Sequence, residues 1–572
     1  MMLRITLTLI IFFTSFGVYP NNLPIIEYNS ISHPVISKTG MVVSQRQSAS
    51  EVGAEILRKG GNAVDAAVAT GLALAVVLPR AGNLGGGGFM VVYLKDADKT
   101  ITIDYREMAP ASAHRDLFLD EEGNYDKNKA QFSLLSAGVP GTVAGLHLAL
   151  TKYGTMSWEE VLEPSIKLAE EGFAVPYDLA NILASSRYKK RLSSNIAAAE
   201  SYYKKDKSNY EAGEILKLPD LAWTLKQLAE YGPDAFYKGE IAKKIVQEME
   251  RNKGLITFED LENYKAVERS PVEGTYKGFR IVSMPPASSG GVHLIQMLNM
   301  LEEYPIGEMG FGSADSIHLL AEVMKRAYAD RSKHLGDMDF YNVPFSLMSK
   351  KYSNSLNKSI SVKSRTASKD VFPGDPYPYE SPDTTHFSVM DQYGNAVSNT
   401  YTLNFSYGSG IMIPGTGMLM NNEMDDFSSK PGVPNGYGLL GSEANSIQAN
   451  KRPLSSMTPT IIFKDNKPYL VLGSPGGSRI ITTVLQVALN VMEHKMNVAQ
   501  AVNSPRIHHQ WLPEVLMMEK GFGPDTEKIL KEKGYNLYPS STMGSVQAII
   551  KEGEYFYGAA DPRRPGSGAV AP

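Results

Sequence analysis

A layered α/β (α+β) architecture is what this sequence predicts, and three observations point to it. Short strand-like runs are followed by longer helical stretches, with no repeating unit along the chain. Glycine-rich corners separate them, in keeping with 50 Gly and 33 Pro among 572 residues. The third observation is a β-hairpin legible from Thr384 to Asn404.

In the hairpin, His386 to Met390 and Val397 to Leu403 alternate in type, and Gly394 stands where a turn needs left-handed backbone. A three-residue loop, Gln392-Tyr393-Gly394, pairs Asp391 with Asn395 and sets Thr384 opposite Thr402. One face then carries Thr384, His386 and Ser388 against Thr402, Thr400 and Ser398. The other carries Phe387, Val389, Val397 and Tyr401, with Asn399 as its polar exception, since side chains alternate along a strand. The ordinary strand preference of Thr and Ser accounts for such a face as readily as a function does.

Taken in order, the chain opens with Arg4 and the apolar run Ile5 to Phe13, a secretory-signal pattern too short to span a bilayer comfortably. Residues 1–20 are assigned to it, with cleavage between Gly17 and Asn22; a retained anchor is the alternative. Gly40 to Val43 suits a strand. Ser48 to Leu57 suits a helix capped by Ser48 or Ser50 and stopped by Gly60-Gly61, and Asn62 to Leu78 a buried, alanine-rich helix. The tetraglycine Gly85 to Gly88 runs into a strand and no Gly-Lys-Ser/Thr follows, so close backbone packing explains it better than phosphate binding. Thr100 to Tyr105 is a strand ending at Arg106, which either holds a carboxylate through its fork or makes an ordinary salt bridge with Glu107 or Asp104. From Gly138 to about Val267 the pattern is mostly helical, with Ser193 to Glu211 as a polar surface excursion. Tyr276 to Met284 reads as one strand, Gly290 to Tyr304 and Ser313 to Ala329 as helices, and Asn354 to Pro382 as a loop or exposed segment, mobile before Thr384. Later, Gly473-Ser-Pro-Gly-Gly-Ser-Arg479 links a strand to the helix Ile480 to Met492. It is either a plain corner or a set of backbone N–H groups aimed at an oxyanion.

Composition excludes several classes of chemistry. With no cysteine there is no disulfide, thiolate nucleophile or Cys-ligated zinc, and an exported bacterial protein tolerates that composition well. A net charge of −4 without a notable basic run gives nucleic acid no support as a partner. His508-His509 lacks a third ligand at metal spacing, so no metal is expected. No Gly-x-Ser-x-Gly elbow occurs.

Four stretches taken in order, Thr384-Thr-His386, Asn421-Asn-Glu-Met-Asp-Asp-Phe427, Pro453-Leu-Ser-Ser-Met457 and Gly473-Ser-Pro-Gly-Gly477, resemble the γ-glutamyltranspeptidase family of N-terminal-nucleophile hydrolases. The likeness extends from Gly60-Gly-Asn-Ala-Val-Asp-Ala66 to Ala560-Asp-Pro-Arg563. It implies a four-layer αββα sandwich and self-cleavage between Asp383 and Thr384. The products are a large subunit, 21–383, and a small subunit, 384–572, joined as a heterodimer, with a dimer of heterodimers left open. Thr384 is the implied nucleophile. Arg106 is implied to bind the substrate α-carboxylate with Ser455 and Ser456, and Asn404, Glu423 and Asp426 to hold the α-amino group. Gly476 and Gly477 form the implied oxyanion hole, and Tyr437 is the lid residue closing towards Asn404. The implied donors are glutathione and other γ-glutamyl compounds, the acceptors water, amino acids or dipeptides, with no cofactor and a periplasmic or extracellular location.

Elementary chemistry suits these roles. A threonine hydroxyl needs a base, and an N-terminal α-amine with a reference pKa of about 7.7–8.0 serves as one near neutrality. Thr402 is placed by the register to hydrogen-bond Thr384. A zwitterionic γ-glutamyl head asks for an arginine on one side and carboxylates on the other. The alternatives are a glutaryl-cephalosporin acylase on the same scaffold, whose acyl group lacks the amine, and an exported binding protein that keeps γ-glutamyl recognition without catalysis.

Overall fold

The computed structural model describes residues 30–372, 384–430 and 432–572. The expected signal at residues 1–20, residues 373–382 of the expected loop, and Asp383 lie outside them. Among the described residues, no helix is long and apolar enough to cross a membrane.

The hairpin forms from strands Thr385–Asp391 and Ala396–Thr402. His386 pairs with Thr400 and Phe387 with Asn399, the register read from the sequence, and continuing it sets Thr384 opposite Thr402. Asp391 fixes the turn: its Oδ1 accepts from the N–H groups of Tyr393 and Asn395, each at 2.9 Å. Its Oδ2 accepts from Ala63 N at 2.8 Å, which ties the turn to the start of helix Ala63–Val77. Gly394 supplies the positive φ, +97°.

The hairpin is the middle of a seven-stranded antiparallel sheet. Its strand order is Gly568–Val570, Gly40–Ser44, the two hairpin strands, Gly87–Leu94, Lys99–Tyr105 and Val267–Arg269. A second antiparallel sheet of seven has the order Val35–Ser37, Tyr555–Ala560, Gln547–Glu552, Lys467–Gly473, Thr460–Lys464, Phe279–Ser283 and Val272–Tyr276. Both sheets draw strands from each side of residue 384, so the two implied subunits would share a single layered body.

The sheets pack face to face through an apolar layer that includes Met41, Val91, Met390, Ile461, Val471 and Ile549. Nearer Thr384 the interface turns polar. Ser388 Oγ donates to Gln547 O and Ser398 Oγ to Leu472 O, both at 3.0 Å. These two hydroxyls therefore satisfy buried backbone across the sheet interface. Helices cover both outer faces. Ala63–Val77 is buried along its whole length and meets the apolar hairpin face, where Tyr401 OH donates to Gly71 O at 2.8 Å. On the other side, Gly290–Leu301, Ala314–His334 and Ile480–Met492 pack on Ile462, Leu470 and Leu472. The result is an αββα sandwich, as expected.

Several local readings are corrected. Tyr276 to Met284 is not one strand but the turn and second arm of a hairpin, because Lys277 and Gly278 both adopt positive φ (43° and 88°). The stretch from Ser193 contains helix Ile196–Tyr202 and buries Tyr202 and Tyr203; their rings outweigh the surrounding lysines. Helix Gln47–Arg58 begins after Arg46 with no side-chain cap from Ser48 or Ser50. Helix Lys350–Asn357 takes up the first residues of the expected 354–382 loop. The tetraglycine allows close backbone approach: a Cβ on Gly86 would lie 2.0 Å from Thr402 O, and one on Gly87 2.4 Å from Tyr105 O.

Candidate active site

At the end of the hairpin a cavity is lined by Thr384, Thr402, Asn404, Arg106, Glu423, Asp426, Tyr437, Ser455, Ser456 and Gly477, among others. Gly476 stands one residue behind it, and Asp383 is outside the described residues. Thr384 is 5% exposed, and its Oγ1 lies 3.4 Å from Thr402 Oγ1. Thr402 Oγ1 also accepts from Asn404 N at 2.8 Å, which fixes the hydroxyl beside Thr384.

Arg106 leaves the strand Lys99–Tyr105 into the cavity wall and is buried. Its pairing differs from the sequential alternatives. Nη1 binds Glu423 Oε1, Nη2 donates to Asp426 Oδ2 at 2.6 Å, and Nε donates to Pro453 O at 3.2 Å. Glu107 stands 3.7 Å from Nη1, while Asp104 pairs with Arg269 at 2.7 Å and Arg452 at 3.3 Å. Among the described residues, three of the five guanidinium N–H donors are thus engaged in hydrogen bonds. Glu423 and Asp426 arrive on a short 3₁₀ turn, Glu423–Asp426, beyond the strand Met418–Leu419.

Electrostatics follow from three carboxyls around one guanidinium, those of Glu107 and Glu423 buried and that of Asp426 partly so. Burial, opposed by Arg106, pushes Glu107 up to about 7, and it drives Glu423 well above the usual carboxylate range; Asp426 is raised for the same reason. Burial alone would lower Arg106, but the carboxylates outweigh it and hold the guanidinium charged. Among the described residues, Asn404 Oδ1, Glu423 Oε2 and both oxygens of Glu107 accept no hydrogen bond. A cationic group carrying several N–H donors would meet that deficit.

Tyr437 roofs the cavity. Its OH donates to Asn404 O at 2.8 Å, and its ring stands edge-on to Phe405 with centroids 5.5 Å apart. Below it lies the Gly473-to-Arg479 corner, where Gly476 (φ +139°) and Gly477 (φ +55°) precede helix Ile480–Met492. A Cβ on Gly477 would meet the Tyr437 ring at 2.5 Å. His386, two residues after Thr384 on the same face, bonds Thr400 Oγ1 (2.8 Å) and Ser388 Oγ (3.0 Å), and burial lowers it to about 3. It is a neutral packing residue. His508 likewise bonds Thr482 Oγ1 and Gln510 Oε1.

Two neighbours escaped the sequence reading. Arg331, on helix Ala314–His334, donates from Nε to Ser289 Oγ (2.9 Å) and from Nη2 to Ser456 Oγ (3.1 Å). Ser289 Oγ in turn donates to Ser455 O at 2.7 Å. The Ser288-Ser-Gly-Gly291 run before a helix was the available signal for Ser289; nothing in sequence separates Arg331 from the other charges of its helix.

Comparison with known proteins places the chain in a family. Residues 49–571 match the family model described as gamma-glutamyltranspeptidase. The chain is 53% identical over 536 residues to a glutathione hydrolase proenzyme of Escherichia coli, covering 93% of this chain and 92% of that one. Identity to a glutathione hydrolase proenzyme of Bacillus subtilis is 40%, over 95% and 93% of the two chains. Among solved structures, a cephalosporin acylase from Bacillus halodurans superposes with a TM-score of 0.83 at 26% identity, covering 97% of this chain and 99% of that one. A Helicobacter pylori gamma-glutamyltranspeptidase chain gives 0.58 at 42% identity, covering 59% and 96%. From the Thr384–Thr402 hairpin to the carboxylate-flanked arginine, and over nearly its whole length, the chain belongs to the γ-glutamyltranspeptidase family.

Proposed function

We propose that the chain is an exported, self-processing γ-glutamyltransferase and glutathione hydrolase. The observation that carries this reading is the charge pattern of the cavity at Thr384. Among the described residues, one buried arginine sits beside two carboxylates and an amide oxygen that accepts no hydrogen bond, an arrangement complementary to a γ-glutamyl zwitterion.

In the precursor, Thr384 Oγ1 attacks the Asp383 carbonyl, the ester hydrolyses, and the chain ends as two subunits, 21–383 and 384–572. The freed α-amine then acts as the base that the hydroxyl needs. Thr402 Oγ1 orients the nucleophile. Arg106, Ser455 and Ser456 receive the α-carboxylate; Asn404, Glu423 and Asp426 receive the α-ammonium. Thr384 attacks the γ-amide carbon, and the N–H groups of Gly476 and Gly477 stabilise the oxyanion, a contribution of about 2.7–4 kcal/mol per donor in comparable sites. From glutathione, Cys-Gly leaves with the amine proton. Water or an amino acid or dipeptide amine then resolves the γ-glutamyl ester. Tyr437 closes the site against solvent.

The acylase alternative has support in the cephalosporin acylase likeness and in a 36%-identical relative named acylase ACY 1 proenzyme. A glutaryl group, however, brings no ammonium to Glu423, Asp426 and Asn404. The test is incubation with glutathione and glycylglycine, followed by mass spectrometry. Cys-Gly and γ-glutamyl-glycylglycine are expected; turnover of glutaryl but not γ-glutamyl donors would overturn the reading.

A further inference from the structure

Arg331 is an unusual buried cation. It is 4% exposed and makes no ion pair among the described residues, and its side-chain partners are the hydroxyls of Ser289 and Ser456. Burying a guanidinium without a carboxylate is costly unless its field is used. Burial lowers it to about 10, so it stays charged near neutrality, and among the charges that act on it are Asp426 and Arg106 of the cavity.

Hydrogen-bond direction shows what the contacts accomplish. Ser456 Oγ accepts from Arg331 Nη2 at 3.1 Å, and Ser455 Oγ accepts from Met457 N at 3.1 Å. With an acceptor side of each oxygen occupied, both O–H groups are left to donate, and both residues line the cavity. Ser289, which accepts from Arg331 and donates to Ser455 O, ties the start of helix Gly290–Leu301 to the same segment. We propose that Arg331 is a positioning residue for the α-carboxylate subsite: it orients Ser456 as a donor, braces Ser455 through Ser289, and offsets the negative field of Asp426. The inference rests on the reading that Ser455 and Ser456 receive the donor's α-carboxylate.

The test compares two donors, γ-glutamyl p-nitroanilide and 4-aminobutyryl p-nitroanilide, which lacks only the α-carboxylate. The variants are Arg331→Met, Arg331→Lys, Ser456→Ala and the Arg331→Met/Ser456→Ala pair, with self-cleavage as the check on folding. Arg331→Met is expected to raise KM for the γ-glutamyl donor by about 10–100-fold, the range for losing a hydrogen bond from a charged group, while kcat holds within about threefold. The 4-aminobutyryl donor is expected to change by no more than about threefold, and Arg331→Lys to recover part of the loss. In the double variant, Arg331→Met is expected to add no more than about threefold to Ser456→Ala, because one acts through the other. Equal losses on both donors or additive effects would overturn the proposal, as would failure of both Arg331 variants to fold. If Ser456→Ala itself spares the γ-glutamyl preference, the underlying subsite reading fails. If Ser456→Ala abolishes that preference and Arg331→Met does not, only the role of Arg331 fails.

Discussion

Replacing Asp426 with Asn keeps its shape and removes one charge from the cavity. Asp426 Oδ2 accepts from Arg106 Nη2 at 2.6 Å and Oδ1 from Asn435 Nδ2 at 3.2 Å. In the variant Arg106 keeps Glu423, with Glu107 at 3.7 Å, so the buried guanidinium is not orphaned. Repulsion among the three carboxyls also eases, so Asp426→Asn is expected to fold and self-cleave as the wild type does. What it loses is one ionic acceptor for the α-ammonium, worth about 1.5–3 kcal/mol, or about 10–150-fold in kcat/KM, most of it in KM. The assay is release of p-nitroaniline from paired γ-glutamyl and glutaryl anilides. Because the glutaryl group has no amine, its turnover, however slow, is expected to shift by no more than about threefold. An unchanged KM for the γ-glutamyl donor, or equal losses on both anilides, would refute the assigned amine contact.

Three further outcomes follow from the geometry. Gly477→Ala places a Cβ 2.5 Å from the Tyr437 ring in a left-handed backbone that costs alanine about 1–2 kcal/mol, so kcat is expected to fall by about 100-fold; wild-type kcat would contradict this. His386 has a folded pKa of about 3 against 6.5 ordinarily, so below pH 6.5 the unfolded chain takes up a proton that the folded chain refuses. Its stability contribution is full above 6.5 and declines by about 1.4 kcal/mol per pH unit towards 3; urea melts of His386→Gln should show a shallower acid limb, and parallel slopes would refute the assignment. Gly86→Ala drives a Cβ to 2.0 Å from Thr402 O and is expected to block soluble expression or self-cleavage, as a gel shows directly; normal yield and processing would mean the backbone approach is not required.

Sequence alone exposed the hairpin register, because a period of two and one turn glycine leave a single pairing that keeps chemistry on one face. It did not reveal what that face does. Ser388 and Ser398 serve buried backbone of the opposing sheet, and only Thr384 and Thr402, at the end, face the cavity. Local composition misjudged Ser193 to Glu211, since the burial of Tyr202 and Tyr203 depends on partners remote in the chain. The same limit applied to Arg106, whose neighbours Glu107 and Asp104 looked like partners while Glu423 and Asp426 lie more than 300 residues on. Arg331 was invisible for that reason too: its role is set by a serine 125 residues away.

The account stands on Thr384 as both cleavage site and nucleophile. Amino-terminal sequencing and intact-mass measurement of purified wild type beside Thr384→Ala test this most directly. The wild type should yield a small fragment beginning Thr-Thr-His, with γ-glutamyl turnover, and Thr384→Ala should remain one inactive chain. A Thr384→Ala protein that is cut at the same bond, or that turns over γ-glutamyl donors at the wild-type rate, would contradict it.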